Sequence, residues 1–414
     1  MASLQPARGT HDLLPEDFRR HARVIDIARE TAGLYGFAQI ATPIFEFTDV
    51  FQRTLGDTSD IVTKEMYTFT DKGGEQVTLR PEGTAGVARA LISNGLSQHL
   101  PLKYFYAGPM FRYERPQKGR LRQFHQIGVE LLGVAGPQAD VDVLATGQHI
   151  LEALGIWQHT RLELNTLGDP ESRDAYRAAL VAYFSDHLET LSPDSRERLS
   201  RNPLRILDSK DEGDRKLVAG APGFGEYLNQ LSQDFFGQVT EGLTALGIPY
   251  THNPRLVRGL DYYTHTAFEF VTEALGAQGT VMAGGRYDGL VGMMGGPQTP
   301  GIGWAAGIER LAMLLTEVPE APRPIAIIPV GGAEEAEALR VAHRLRRAGY
   351  VIELGYGGNV GKRMKRANKL NARAALLLGE AELARQIATL RDLDSGEQVE
   401  VPLDQLEDRL SIFR

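Results

Sequence analysis

The stretch Phe111-Arg112-Tyr113-Glu114-Arg115-Pro116-Gln117-Lys118-Gly119-Arg120-Leu121-Arg122-Gln123-Phe124-His125-Gln126-Ile127-Gly128-Val129-Glu130 joins two strand-like segments, 104–114 and 122–132, through a polar loop containing a glycine. Side chains on a strand alternate with period two, so Arg122, Phe124, Gln126 and Glu130 share one face, with Gly128 between the last two. Ile127, Val129 and Leu131 fall on the opposite face as core. The expectation is a polar pocket wall displayed on a rigid apolar backing, although a solvent-exposed sheet face would show the same alternation.

Outward from this hairpin, Phe18, His21, Val24, Ile25, Ala28 and Ala32 recur at helical spacing over 17–36, with Gly36 as stop signal. Segment 37–50 is rich in β-branched and aromatic residues, interrupted by Pro43, and 66–70 with 77–79 flank the turn-like Asp71-Lys72-Gly73-Gly74 as a second hairpin. Segment 82–94 reads as helix ending at Gly95. These elements predict α+β architecture with antiparallel strands. After Gly168, Asp169-Pro170-Glu171 starts a helix, and about 168–250 reads as a helical insertion, because strand signals return at 258–270 and 302–306. Pro319, Pro322 and Pro324 mark a linker over 319–324, since proline can neither continue a helix nor sit in a central strand. Beyond it, strand and helix alternate at 325–330, 334–348, 351–354, 360–370, 374–378 and 380–387, a small α/β domain. The expected domains are therefore 1–318, carrying the insertion, and 325–414.

The composition of the 414 residues, 42% hydrophobic and 24% charged, excludes a disordered tail or a collagen-like fibre. With no cysteine, neither disulfides nor thiolate chemistry is available. No apolar run approaches the roughly 18 residues of a membrane span and the start shows no secretion pattern, so a cytoplasmic location without membrane attachment is expected. The net charge of -8 argues against wholesale coating of nucleic acid but allows a local basic surface. Lys362, Arg363, Lys365, Arg366, Lys369 and Arg373 supply one with no acid among them, and Lys362, Lys365 or Arg366, Lys369 and Arg373 follow helical spacing, which is also how a solvated helix face looks. Gly301-x-Gly303-x-x-x-Gly307 lacks the surrounding βαβ unit of a dinucleotide fingerprint, and Gly357-Gly358-Asn359-Val360-Gly361-Lys362 is too short for a phosphate loop. No His-Glu-x-x-His pair or comparable ligand cluster is visible, so the pattern offers no zinc site and the protein's metal ligands are unknown.

The string Phe-Arg-x-Glu-Arg, a basic loop, then Arg-x-Phe-His-Gln resembles motif 2 of the class II aminoacyl-tRNA synthetases, in the form found in the histidyl-tRNA synthetase family. The resemblance extends along the chain. It includes Arg8-Gly9-Thr10-His11-Asp12, Leu79-Arg80-Pro81-Glu82-Gly83-Thr84 and Asn202-Pro203-Leu204-Arg205-Ile206-Leu207-Asp208-Ser209-Lys210. It continues in Leu256-Val257-Arg258-Gly259-Leu260-Asp261-Tyr262-Tyr263, Ala283-Gly284-Gly285-Arg286-Tyr287-Asp288-Gly289-Leu290 and the motif-3-like Pro300-Gly301-Ile302-Gly303-Trp304-Ala305-Ala306-Gly307-Ile308-Glu309-Arg310.

The resemblance implies a class II catalytic domain with a helical insertion and a C-terminal α/β anticodon-binding domain. The implied reaction activates L-histidine with ATP and transfers it to histidine tRNA. Arg112 and Arg258 would be catalytic, Arg258 replacing a metal ion used elsewhere in class II. ATP would meet Arg112, Glu114, Arg120, Phe124 and Arg310, with adenine between Phe124 and Arg310. Histidine would meet Glu82, Thr84, Gln126, Glu130, Arg258, Tyr263 and Tyr287, its imidazole between Glu130 and Tyr263, with Tyr287 nearby. The tRNA would meet Arg115, Gln117, Lys118 and Arg122 near its acceptor end, and Lys362, Lys365, Arg366 and Lys369 in the C-terminal domain. Mg2+ and a homodimer formed around Pro43 complete the expectation. Arg258 and Tyr263 have opposite strand parity, so both face one pocket only if the chain bends near Gly259. The alternative implied by resemblance is the synthetase-like regulatory subunit of ATP phosphoribosyltransferase, a histidine sensor. That protein typically lacks the C-terminal domain and loses charges in the ATP region, so Arg112, Arg258, Arg310 and 324–414 favour the ligase.

Overall fold

The computed structural model describes residues 3–55, 61–117, 119–209, 211–257, 262–276, 279–317 and 319–413. The chain forms two compact units, Met1–Pro319 and Glu320–Arg414. No helix among the described residues is long and apolar enough to cross a membrane.

In the first unit the strands are β1 (Ala38–Gln39), β2 (Phe45–Phe47), β3 (Tyr67–Thr70), β4 (Gln76–Leu79), β5 (Leu102–Phe111), β6 (Gln123–Leu132), β7 (Arg161–Thr166), β8 (Tyr250–His252), β9 (Thr264–Val271), β10 (Thr280–Arg286) and β11 (Gly301–Gly307). Eight of them form one sheet in the order β1-β5-β6-β11-β10-β9-β7-β8. The six central strands pair antiparallel, and parallel pairs occur only where β1 meets β5 and β8 meets β7. β2, β4 and β3 make a separate antiparallel sheet that contains the second hairpin.

Alternation along β6 sends Ile127, Val129 and Leu131 into one core and leaves Phe124, Gln126 and Glu130 on the other face. The apolar face is covered by helices Pro15–Leu34, Gln138–Ala153, Gln230–Ala245 and Ile308–Leu314. The first of these starts at Pro15, where the missing N–H costs nothing, with Glu16 and Asp17 against the positive end of the helix dipole. It buries Val24, Ile27, Ala28, Thr31 and Ala32 at three- and four-residue spacing and stops before Gly36, whose φ of 80° suits glycine.

Two features add to or differ from the expectation. Of segment 37–50 only β1 and β2 are strand, and Thr48–Leu55 is a helix that buries Phe51, because Pro43 cuts the β-rich run and the residues after it follow a helical period. Helices Pro170–Ser185, Pro193–Arg201 and Glu212–Ala219 share a core of Tyr176, Leu180, Phe184, Leu191, Leu199, Ile206 and Phe224, the first capped by Asp169, which accepts from the Ser172 N–H at 2.8 Å. Helix Gln230–Ala245 instead places Val239 and Leu243 in the core under the large sheet, so 168–250 divides between two cores. Periodicity reveals an apolar helix face but not which core receives it.

In the second unit β12 (Ile325–Pro329), β13 (Ile352–Leu354), β14 (Ala374–Leu378), β15 (Ile387–Asp392) and β16 (Gln398–Pro402) form a sheet in the order β13-β12-β14-β15-β16. β12 pairs parallel with β13 and β14, while β14, β15 and β16 pair antiparallel. Helix Glu380–Ala384 ends before Ile387, which opens β15. The β15–β16 hairpin is not among the expected elements, although Asp392-Leu393-Asp394-Ser395-Gly396 is a turn signal. The Asp392 carboxylate accepts from the N–H groups of Asp394 and Ser395 at 2.8 and 3.0 Å.

Candidate active site

The polar face of β6 borders a cavity of about 460 Å³ lined by Glu82, Thr84, Arg112, Glu114, Arg120, Phe124, Gln126, Tyr263, Tyr287 and Arg310, among others. It lies beside a wider cleft of about 1260 Å³ that reaches the helices after Gly168, and Arg112, Glu114, Arg120 and Tyr263 line both. Arg258 lies outside the described residues.

One end of the cavity is cationic. The Arg112 guanidinium lies over the Phe124 ring, 5.3 Å from its centroid, and its Nε donates to the Pro81 carbonyl at 2.9 Å. Arg310 donates from Nε to the Gly119 carbonyl at 3.3 Å and from Nη1 to the Thr280 carbonyl at 2.6 Å, so the loop after β5 and the start of β10 aim it. Burial, and then the nearby Arg120 guanidinium, lowers the pKa of Arg310, with Glu114 opposing. Glu114 stands between its cationic neighbours, 3.1 Å from Arg120 and 3.9 Å from Arg112. Three guanidiniums crowding one cavity repel one another, and an anion among them relieves that repulsion. Phe124 and Arg310 both line the cavity, but the cation over the Phe124 ring is Arg112.

The other end is built around carboxylates. Glu82 is buried and accepts the N–H groups of Thr84 and Ala85 at 2.6 and 2.9 Å, capping helix Thr84–Ser93. Burial raises its pKa, while those backbone bonds and then Arg112 lower it. The Gln126 Oε1 atom is buried without a hydrogen-bond partner, an acceptor that a ligand N–H or ammonium would satisfy. Glu130 is 0% exposed and lies directly behind cavity-lining Thr84, Tyr287 and Gly303. The Thr84 hydroxyl donates to its Oε1 at 2.7 Å and the Tyr287 hydroxyl donates to its Oε2. Burial pushes its pKa up to about 8, against the pull of those hydroxyls. Tyr287, expected only near the imidazole, is therefore hydrogen-bonded to Glu130 itself. β11 runs beside Glu130 as Gly301-Ile302-Gly303, and a Cβ at Gly303 would lie 2.0 Å from Glu130 Oε2.

The model of the family described as histidyl-tRNA synthetase matches residues 9–311, and that of an anticodon binding domain matches 324–411. The chain belongs to the histidyl-tRNA synthetase family. A histidine–tRNA ligase of Rhodospirillum rubrum is 64% identical over the full length of both chains. One of Gluconacetobacter diazotrophicus is 60% identical, covering 98% of this chain and 97% of its own. The crystal structure of apo histidyl-tRNA synthetase from S. aureus superposes with a TM-score of 0.84 at 36% identity, covering 98% of this chain and 99% of that one.

Within this synthetase fold the remaining expected residues separate. Arg115 and Gln117 are exposed on the loop between β5 and β6, whose tip is closed by mutual backbone bonds of Gln117 and Arg120, while Lys118 lies outside the described residues. Arg122 sits before β6 begins, so the alternation does not carry it into the cavity. It stacks on Tyr113 at 3.8 Å and donates from Nε to the Glu114 carbonyl at 3.2 Å, bracing the loop. In the second unit Lys362, Lys365, Arg366 and Lys369 are exposed on helix Val360–Lys369, which Asn359 caps. Arg363, on the inner face, is 7% exposed and pairs with Glu335 at 2.7 Å, and Arg366 pairs with Glu353 at 2.7 Å.

Two clusters escaped the sequence. His21, His125 and Glu309 bring one ligand atom each to within 4.8 Å of one another, and no linear pattern announces three residues from separate elements. Both Glu309 oxygens accept the His125 N–H, at 2.9 and 3.1 Å, and the His125 ring lies 2.9 Å away, so the group clamps β6 to the residue before Arg310. Arg286 and Asp140, each 0% exposed, form a buried pair that Asp288 and the Val134 and Gly136 carbonyls complete.

Proposed function

We propose that the chain activates L-histidine with ATP, forming histidyl adenylate and pyrophosphate, and transfers the histidyl group to the terminal adenosine of histidine tRNA. The observation that carries this reading is the polarity of one cavity, with Arg112, Arg120 and Arg310 at one end and Gln126, Thr84, Tyr263 and Tyr287 at the other. The histidine carboxylate itself attacks the α-phosphorus of ATP, so no protein nucleophile is required. The protein must hold the reactants in line and stabilise charge spreading over phosphate oxygens, which planar, permanently charged guanidiniums do well. In this reading Arg112 holds the α-phosphate and the substrate carboxylate, Arg310 and Arg120 hold the outer phosphates, and Phe124 stacks on adenine beside Glu114. Arg258 is assigned its catalytic place by resemblance alone. Gln126, Glu82 and Thr84 take the ammonium, and Glu130 with Tyr263 and Tyr287 the imidazole. Selection through buried polar pairing rejects analogues strongly enough to need no editing. Mg2+ would arrive with ATP and neutralise phosphate charge, and Glu114 and Glu269, which line both cavity and cleft, offer the hard oxygen donors it prefers.

Three further readings belong to the same proposal. The chain works as a homodimer, for which exposed Phe45, Phe47 and Phe69 on the small sheet, at 57%, 59% and 48%, offer an apolar face next to Pro43. It works in the cytoplasm, in keeping with its cysteine-free composition. The exposed cations of helix Val360–Lys369 and the 115–122 loop contact tRNA phosphates. The regulatory-subunit reading explains neither a second unit resembling an anticodon-binding domain nor the retained arginines. Neutralising Lys362, Lys365, Arg366 and Lys369 together is expected to weaken tRNA binding and to flatten its salt dependence by about 0.7 to 0.9 for each phosphate no longer neutralised, with adenylate formation unchanged. Filter binding across a salt series measures this, and unchanged affinity and slope would make the helix a solvated face.

A further inference from the structure

We infer that Tyr106 is a positioning residue for histidine selection, its phenol holding the Glu130 carboxylate from behind the cavity wall. The inference rests on the reading of Glu130 as a partner of the substrate imidazole.

On β5, Tyr106 stands opposite Gly128 of β6, next to the Tyr104–Glu130 pair. The residue is 6% exposed, and its hydroxyl donates to Glu130 Oε1 across 3.4 Å. Glycines make room for the ring on two sides. A Cβ on Gly83 would lie 2.4 Å from Tyr106 Cε2, and one on Gly128 would lie 2.3 Å from Cζ. The ring is thus held between the turn before helix Thr84–Ser93 and strand β6, with its hydroxyl aimed by packing. Three hydroxyls converge on Glu130, and they are not equivalent. Those of Thr84 and Tyr287 belong to residues that line the cavity, where the acceptor nitrogen of a bound imidazole competes for the Tyr287 proton and an ammonium donates to the Thr84 oxygen. The Tyr106 hydroxyl comes from the buried side, so it keeps its hold on Glu130 when Tyr287 turns to the ligand.

The titratable groups facing Glu130 are Glu82 from the loop before the helix, Tyr106 from β5, Tyr262 and Tyr263 ahead of β9, and Tyr287 after β10. Burial keeps the Tyr106 phenol well above its ordinary range, so it remains a donor. Burial pushes Glu130 up to about 8, and the hydroxyls of Tyr287, Thr84 and Tyr106 pull it down. Removing one of them lets Glu130 rise further. The carboxylate then forms only at higher pH, and the pH limb of histidine affinity that follows its ionisation moves upward.

Full-length Tyr106→Phe, which keeps the ring, and Glu130→Gln are compared with the parent in histidine-dependent exchange of pyrophosphate into ATP between about pH 6 and 9. Tyr106→Phe is expected to raise the KM for histidine about 3- to 10-fold, the loss of one hydrogen bond, while kcat and the KM for ATP stay within about two-fold. Its histidine pH limb should lie above that of the parent, and Glu130→Gln should raise the histidine KM more. If Glu130→Gln raises the histidine KM and Tyr106→Phe changes neither KM nor pH limb, Tyr106 has no positioning role. If Tyr106→Phe lowers kcat and weakens both substrates alike, its role is merely structural and the inference fails. If Glu130→Gln leaves the histidine KM unchanged, the reading of Glu130 fails and the inference with it.

Discussion

Replacing Arg112 with Ala is expected to slow histidyl adenylate formation by at least about 10²-fold, in line with the roughly 2.7 to 4 kcal/mol lost when one preorganised donor to developing charge is removed. The position makes the effect specific. Arg112 lies between Phe124 and Glu114 at the mouth shared by cavity and cleft, and its link to the backbone of its surroundings is the bond to the Pro81 carbonyl. The fold, followed by circular dichroism and thermal melting, should be nearly unaffected. Rapid-quench measurement of a single turnover separates the outcomes. A loss in the rate of adenylate formation at saturating ATP and histidine places Arg112 at the transition state, whereas a rise in KM alone would make it a ground-state tether. Arg258→Ala carries the same expectation by resemblance.

The largest expected effect on stability lies at the pair of Arg286 and Asp140. Both side chains are fully buried, and helix Gln138–Ala153 is tied through them to the end of β10. Asp140→Ala leaves a guanidinium in the interior with Asp288 as its carboxylate partner, and breaking such a pair costs about 3 to 5 kcal/mol. Urea denaturation followed by tryptophan fluorescence should show a midpoint displaced to lower urea and an extrapolated stability lower by that amount, because Trp304 donates to the Val143 carbonyl on the same helix. Because Arg286 precedes Tyr287, whose hydroxyl meets Glu130, the variant should also weaken histidine binding. Replacing both partners with apolar residues of similar volume should recover most of the stability, since the desolvation cost of the charges disappears with them.

The parts of this site legible in sequence are those in which chemistry follows local period. Alternation around Gln126 placed the polar face of β6 correctly, and helical spacing separated exposed Lys362, Lys365, Arg366 and Lys369 from inward Arg363. What stayed hidden depends on register and on contacts between distant segments. Tyr106 matters only because β5 pairs with β6 in the register that sets it over Gly128, and a lone Tyr on a strand gives no sign of this. Glu309 and His125 meet across β6 and the start of helix Ile308–Leu314, and Asp140 finds Arg286 from a helix far along the chain. Arg122 was misplaced because alternation was extended to the residue before the strand begins at Gln123. The helical pattern of 168–250 gave no sign that helix Gln230–Ala245 packs under the large sheet, because an amphipathic face does not name its partner.

Central to this reading is the arginine-lined cavity as the place where histidine is joined to ATP. Histidine-dependent exchange of labelled pyrophosphate into ATP, measured with the full-length protein and magnesium, tests it directly. The predicted result is exchange that saturates with L-histidine, is not supported by the other amino acids and falls at least about 10²-fold in Arg112→Ala. Binding of histidine without any exchange would contradict this and would favour a sensor built on the same fold.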